Sequence, residues 1–113
     1  LFMINKILDD SSDKKYYPEI IIDHGLNESS ITTVGTPVLD GGKKYDTLVD
    51  MEAHEICTVV DSYDDLENLF IIKIISDFMD ISRKYFSIDT VYDLVDNNIS
   101  NIDKLLMDLR NKQ

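Results

Sequence analysis

The spacing of apolar residues in the first half of the chain predicts one helix followed by short strands. Four apolar residues among the first nine recur at helical steps, which predicts an opening helix over residues 1–9. A run of three isoleucines between a proline and a glycine predicts a buried strand over residues 17–23. Residues 31–34 predict a second strand and residues 48–51 a short third one. The first half therefore predicts mixed secondary structure.

The second half predicts a helix, a strand and a long closing helix. Residues 53–63 carry apolar side chains at three- and four-residue steps, as an amphipathic helix does. The isoleucine-rich run over residues 69–75 is almost continuously apolar, which is typical of a central parallel strand. Ser87 can cap the closing helix, whose apolar stripe runs from Ile88 to Leu109. This alternation favours one layered α/β domain.

Two acidic motifs follow two of these strands, and the order of the elements brings them together. Residues 48–75 read strand, helix, strand, and a helical crossover of this length joins parallel strands. Such crossovers are right-handed and leave both carboxyl ends on one edge, where open α/β sheets bind ligands. Glu52 follows the first strand, and Ser76-Asp77 follows the second. The pattern predicts two carboxylates at a ligand edge, although acidic residues also follow strands as helix caps and turn residues.

Composition narrows the classes of function. The 113 residues include 22 acidic and 11 basic side chains, for a formal charge of −11, and 43% are hydrophobic, which suits one core. This negative field disfavours nucleic acid and anionic membranes as partners, and no apolar run is long enough to span a bilayer. The single cysteine, Cys57, fits a reducing, cytoplasmic location. His54 has no second His or Cys at a ligand spacing, so no metal site is predicted.

The segments Val49–Ala53 and Ile74–Asp77 resemble motifs of the purine nucleoside phosphorylase and nucleosidase superfamily. The similarity is greatest to the methylthioadenosine/adenosylhomocysteine nucleosidases, where a Met-Glu pair and a Ser-Asp pair occur in this order. The segment Thr32–Val38 loosely resembles the strand that walls the base pocket in that family. The resemblance implies a three-layer αβα fold with a mixed, largely parallel sheet. Residues 1–113 would form the C-terminal part of one such domain, which is incomplete.

The resemblance implies different tasks for these residues around a purine nucleoside. Glu52 would accept hydrogen bonds from the ribose hydroxyls, and Met51 would pack against the sugar. Asp77, partly buried, would donate a proton to N7 of the base as a general acid, and Ser76 would orient its carboxyl group. The resemblance also implies a homo-oligomer. It implies no cofactor and no metal, with phosphate as a co-substrate if the reaction is phosphorolysis.

The chain departs from the family pattern at several positions. His54 and Glu55 stand where the family has small residues, and Lys73 stands where it often has arginine. Residues 1–30 contain neither a Gly-rich phosphate loop nor an arginine, so the side of the site that activates the nucleophile is missing. The apolar start at Leu1 is expected to be a cut through an element that continues upstream. We therefore expect the isolated chain to be inactive.

Two functions of different classes follow. The first is the C-terminal portion of an enzyme that cleaves the N-glycosidic bond of purine nucleosides, with water and phosphate both open as the attacking group. The second is a non-catalytic module of the same fold that binds a nucleoside or a partner protein. Base release by the full-length protein distinguishes them, because only the enzyme breaks the glycosidic bond.

Overall fold

The described parts of the chain form one mixed sheet with two helices. The computed structural model describes residues 1–20, 22–40, 44–45, 47–75 and 88–111. The strands there are β1 (Phe2–Asp9), β2 (Lys15–Tyr16), β3 (Asn27–Thr33), β4 (Leu48–Asp50) and β5 (Ile72–Lys73). The helices are α1 (Ala53–Ser62) and α2 (Ile88–Asn111), with a short 3-10 turn at Leu66–Asn68.

The sheet is built around β1. Strands β1, β3 and β4 are parallel neighbours in that order. Strands β2 and β5 pair antiparallel with the other edge of β1, with β2 near its carboxyl end and β5 near its amino end. The carboxyl ends of β1, β3 and β4 therefore lie together at one edge of the sheet.

Helices cover both faces of this sheet. On one face, Ala53 and Cys57 of α1 pack against a cluster that contains Ile4, Ile7 and Ile31. On the opposite face, Leu105 of α2 packs in a cluster with Met3 and Ile22. Neighbouring residues of a strand point to opposite faces, so Met3 and Ile4 of β1 belong to different clusters. This is the three-layer αβα arrangement that the family resemblance implied.

The opening segment is a strand, so the predicted helix over residues 1–9 is wrong. The pairing of β1 with β3 shifts between Ile4 and Lys6, where one extra residue forms a bulge. The bulge turns Ile4 and Ile7 to the same face, and both are 0% exposed. An apolar repeat of three residues resembles the helical period, although here it arises in a strand covered on both faces.

Two further predictions about strands are wrong. Residues 17–23 form no strand in the part of the chain that the structure describes, although Ile22 is buried there. The predicted central parallel strand over residues 69–75 is only the short β5, and it runs antiparallel to β1. Residues 48–75 are therefore not a right-handed parallel crossover. The prediction that such a crossover brings the strand ends before Glu52 and Ser76-Asp77 to one edge of the sheet is wrong, because β4 and β5 run in opposite directions. Burial of an apolar run does not specify the direction of its neighbours, and the pairing is decided by the strands on either side.

The predictions of β4 and of both helices are confirmed, and α2 runs without a break over its 24 residues. Strand β3 overlaps the strand predicted over residues 31–34 but begins four residues earlier, at Asn27. The predicted stripe on α2 matches the covered side of the helix only in part: its members Val95, Ile99 and Leu106 are exposed, whereas Leu105, which was not part of the stripe, is buried. The proposed cap, Ser87, lies outside the described residues. Neither described helix has the length and apolarity that a membrane crossing requires.

Candidate functional site

The Asp50 carboxylate organises the junction between β4 and α1. Its Oδ2 accepts the backbone N–H of Ala53 at 2.7 Å and that of Glu52 at 3.3 Å. Its Oδ1 accepts the hydroxyl of Thr33 at 2.7 Å. The Asp50 side chain is only 7% exposed, and a buried carboxylate needs such partners to offset its lost hydration. Asp50 is therefore the cap of α1 and the link from that helix to β3.

Thr33 extends this network into the first turn of α1. Its hydroxyl donates to Asp50 and at the same time accepts the backbone N–H of His54 at 2.9 Å. Thr33 is buried at the carboxyl end of β3, directly beside Asp50 in the parallel register. One hydroxyl thus uses its donor and an acceptor position to fix the start of α1 against the sheet.

Lys73 links β5, which precedes the Ser-Asp motif, to β4, which precedes the Met-Glu motif. Its ammonium lies 3.1 Å from Oδ2 of Asp50, and the Lys73 side chain is 30% exposed. Lys73 is the last residue of β5, and residues 74–77 follow it directly. Although β5 does not run parallel to β4, the ion pair fastens its end to the end of β4. The partner of Lys73, which the sequence left undetermined, is Asp50.

Met51 and Glu52 follow Asp50 and remain accessible. Met51 is 43% exposed, and Glu52 is also exposed. The Glu52 side chain makes no capping hydrogen bond, although its backbone occupies the position before the first residue of α1. Among these acidic residues, the capping role that the sequence also allowed belongs to Asp50. The Glu52 carboxylate is therefore available to a ligand.

The Ser76-Asp77 motif, and with it Asp80, lies outside the described residues. Their assigned roles stay predictions. The structure describes the chain up to Ile75, two residues beyond the Lys73–Asp50 ion pair.

A cavity of about 340 Å³ opens at the carboxyl ends of β1 and β3. It is lined by Asp9, Asp10, Ser12, Thr32, Lys44 and Tyr45, among others. The Lys44 ammonium lies 3.4 Å from the Asp10 carboxylate on its rim. Desolvation and the neighbouring Asp10 carboxylate raise the pKa of Tyr45. No group of three potential metal ligands occurs within the described ranges.

Cys57 is a buried core residue of α1 and not a reactive thiol. The residue is 0% exposed, and burial, with smaller effects from the Asp50 and Asp61 carboxylates, raises the pKa of the thiol to about 11. A thiol is nucleophilic only as the thiolate, which is then scarce at neutral pH.

We therefore expect iodoacetamide near pH 8 to leave Cys57 of the native chain unmodified. Only roughly one molecule in a thousand would carry the thiolate there, and the sulfur is also shielded by packing. Intact-mass spectrometry measures the modification, with the urea-unfolded chain as the control that alkylates fully. Modification of the native chain at the rate of the unfolded chain would contradict this assignment.

Sequence reasoning missed the structural roles of Asp50 and Thr33 and the ion pair between Asp50 and Lys73. Asp50 carried a usable signal, because an aspartate shortly before an apolar helical pattern is typical of a helix cap. Thr33 carried none, since its partners come from segments 17 and 21 residues further along the chain.

A solved structure with the same fold is that of MTAN, an MTA nucleosidase, from Chlamydia trachomatis bound to MTA. The sequences are 20% identical, and the TM-score is 0.57. The match covers 91% of this chain and 48% of that chain, so this chain spans about half the length of the protein it resembles. No family model and no curated protein matches the sequence. At this identity the likeness shows the fold, which is that of an incomplete nucleosidase-like α/β domain.

Proposed function

We propose that this chain is the ribose- and base-binding part of an enzyme that cleaves the N-glycosidic bond of purine nucleosides. The observation that carries the proposal is the Asp50–Lys73 ion pair at 3.1 Å. It fastens together two segments that continue into the Met-Glu and Ser-Asp motifs. The likeness in fold to an MTA nucleosidase supports the same assignment.

In this proposal Met51 and Glu52 hold the sugar. The exposed Glu52 carboxylate accepts hydrogen bonds from the ribose hydroxyls, and its negative charge strengthens them. The Met51 thioether supplies an adaptable apolar surface for the sugar face. Asp50 takes no direct part, but its bonds to the N–H groups of Glu52 and Ala53 hold this turn in place.

Asp77 acts on the base. It donates its proton to N7 while the bond between C1′ and N9 breaks, so the base leaves as a neutral purine. The electron pair of that bond goes to the base, and the sugar acquires oxocarbenium character. Water or phosphate then forms the new bond at C1′, activated by residues upstream of this chain. Ser76 orients the Asp77 carboxyl group. No cofactor is needed.

The test is release of a purine base by the full-length protein, with MTA and adenosine as substrates. Release in phosphate-free buffer indicates hydrolysis, whereas release that depends on phosphate indicates phosphorolysis. The isolated 113-residue chain should release no base, because it lacks the nucleophile side of the site. Absence of base release by the full-length protein from any purine nucleoside would contradict the proposal.

The Glu52→Gln variant of that protein is expected to lose about 10- to 100-fold in kcat/KM, because charged hydrogen bonds to the ribose become neutral ones. The loss should be smaller for a 2′,3′-dideoxynucleoside, which lacks the hydroxyls that Glu52 would bind. The matched control is Glu55→Gln, which removes an exposed carboxylate from the same helix turn. Equal losses in the two variants would contradict the ribose role of Glu52.

A second candidate is a protein-interaction module of the same fold. It is favoured by exposed large apolar side chains on or next to both helices, including Ile56 and Val59 of α1, Tyr63 directly after α1, and Tyr92 and Ile99 of α2. Exposed apolar surface of this kind marks contact sites when it is contiguous. Absence of nucleoside binding by the full-length protein in calorimetry would support this candidate. Binding without base release would instead support a non-catalytic nucleoside sensor.

A further inference from the structure

His54 is a buried histidine whose ring faces two hydrogen-bond acceptors. The residue is 5% exposed and lies in the first turn of α1. Its Nε2 lies 3.1 Å from the backbone carbonyl oxygen of Lys14. Its Nδ1 lies 3.8 Å from Oδ2 of Asp9 and has no hydrogen-bond partner. A nitrogen buried in this way is costly unless it gains a partner.

The hydrogen-bonding capacity of the imidazole ring explains why Nδ1 has no partner. A carbonyl oxygen only accepts, so the Nε2 atom that bonds to Lys14 carries the proton of the neutral ring. The neutral ring then has a lone pair on Nδ1, directed toward a carboxylate that also only accepts. A second proton converts Nδ1 into a donor to Asp9. Only the doubly protonated ring satisfies both sides of this pocket.

The other histidine of the chain provides a contrast. Nδ1 of His24 accepts the backbone N–H of Leu26 at 2.9 Å, and Nε2 lies 3.6 Å from Oε2 of Glu28. The neutral ring with its proton on Nε2 matches both neighbours. The two histidines therefore differ in what a second proton does: it supplies a missing donor at His54 and displaces an existing bond at His24.

We propose that His54 is a pH-sensitive latch between α1 and the hairpin turn formed by residues 9–16. The protonated ring bridges the carbonyl group of Lys14 and the carboxylate of Asp9, and thereby holds both ends of the turn. Loss of the Nδ1 proton removes the second bridge and loosens the turn. This inference does not depend on the proposed enzymatic function.

The carboxylate that faces Nδ1 of His54 is negatively charged. Burial acts to raise the pKa of Asp9, but hydrogen bonds from Ser11 and Ser12 and the charge of His54 outweigh it and lower that pKa. Asp9 is therefore ionised at neutral pH. Asp50 of β4 shares the Thr33 hydroxyl with the His54 backbone, and its carboxylate adds a second negative charge.

The remaining ionisable neighbours belong to the turn, β2, β5 and α1. The Lys14 ammonium lies 3.8 Å from Asp61 of α1, and the Lys73 ammonium lies 3.1 Å from Asp50. The Tyr16 ring packs on His54 with centroids 5.0 Å apart, and its hydroxyl lies 3.2 Å from that of Thr58. Cys57 is neutral in the core. Asp50 and Asp61 each have a lysine partner, so the negative charge that faces the ring is that of Asp9.

The latch would also control a cavity wall. Asp9, Asp10, Ser12, Asp13 and Lys15 all belong to the hairpin turn and all line the cavity at the ends of β1 and β3. Release of His54 would loosen this wall and the first turn of α1 together. The hairpin turn that is held by His54 binds one more proton than the released turn does. Low pH therefore favours the held turn, and rising pH favours its release.

The direct test is nitrogen-15 NMR of the histidine rings in the full chain. Near pH 5.5 we expect both nitrogens of His54 to carry protons in the folded chain. Hydrogen-exchange protection of the Lys15 and Tyr16 amides should fall about tenfold or more as the Nδ1 proton is lost, the scale of a charged hydrogen bond. A singly protonated His54 near pH 5.5, with the turn still fully protected, would overturn the proposal.

Three variants separate the latch from a general effect of pH. In His54→Gln the side-chain amide still donates to Lys14, but the pH dependence of protection should disappear. In Asp9→Asn the amide can donate to the neutral Nδ1, so protection should persist to about pH 8.5. His24→Gln is the matched control and should keep the pH dependence of the unaltered chain. The latch would be overturned if protection in His54→Gln or in Asp9→Asn kept the pH dependence of the unaltered chain.

Discussion

Under the proposed mechanism, Asp77→Asn is expected to lower kcat of the full-length protein about 10²–10⁴-fold, with little change in KM. An asparagine amide has no proton to transfer to N7 of the base. Because that transfer develops only in the transition state, kcat and kcat/KM should fall together. Base release from MTA or adenosine, measured by chromatography at saturating and at low substrate concentrations, separates the two constants.

Two controls make this result specific. A 4-nitrophenyl riboside has a leaving group that needs no protonation, so Asp77→Asn should cleave it nearly as fast as the unaltered enzyme does. Asp80→Asn removes a carboxylate three residues further along the chain that has no part in the proposed reaction, and it should change kcat by no more than a few-fold. Unaltered turnover of adenosine by Asp77→Asn would rule out this residue as the acid.

The second large effect is on stability. We expect Asp50→Ala to lower the free energy of unfolding by about 3–5 kcal/mol, the scale for removing one partner of a buried ion pair. The substitution leaves the Lys73 ammonium and the Thr33 hydroxyl without their acceptor, and it uncaps the N–H groups at the start of α1. Urea denaturation followed by circular dichroism measures the change.

A double-mutant cycle isolates the ion pair from the cap. Asp50→Asn, Lys73→Met and the combination should show a coupling of about 1–3 kcal/mol, because the charges are in contact and the carboxylate is buried. The matched control is Asp108→Asn, which breaks an exposed pair with Lys104 on α2 at 3.8 Å. That change should cost less than about 1 kcal/mol. If the effects of the two substitutions on the free energy of unfolding simply add, the side chains of Asp50 and Lys73 do not interact and no ion pair joins the two segments.

The parts of the fold that could be predicted are those whose patterns are local. Helix α1 carries apolar residues at three- and four-residue steps, and β3 ends in the β-branched run Ile31–Thr33, so their own residues indicate the element. Strand β1 was mistaken for a helix because one extra residue near Ile4 changes the period of its buried side chains. Strand β5 was assigned the wrong direction because an isoleucine run is equally apolar beside a parallel or an antiparallel neighbour.

The candidate site likewise has one part that could be predicted from the sequence and one part that could not. Glu52 was correctly placed at the end of β4, since a residue that follows a strand into a helix has little freedom in its position. The stabilising role of Asp50 was missed, although its neighbour Glu52 was considered as a cap. Both residues are acidic and lie close to the helix start, and only the observed bonds show which carboxylate turns inward.

The amino-acid sequence by itself determined that this chain is an α/β domain with an acidic surface and a Met-Glu pair at a strand end. These features follow from composition and from periodicity within single elements. Only the tertiary structure decided that β5 runs antiparallel, that Lys73 pairs with Asp50, and that His54 faces Asp9 and Lys14. Each of these contacts joins residues far apart in the chain, and such contacts depend on how all the layers pack together. For the two acidic motifs, the sequence predicted a shared sheet edge from a parallel crossover that the fold does not contain, and the fold instead supplies the ion pair between Asp50 and Lys73.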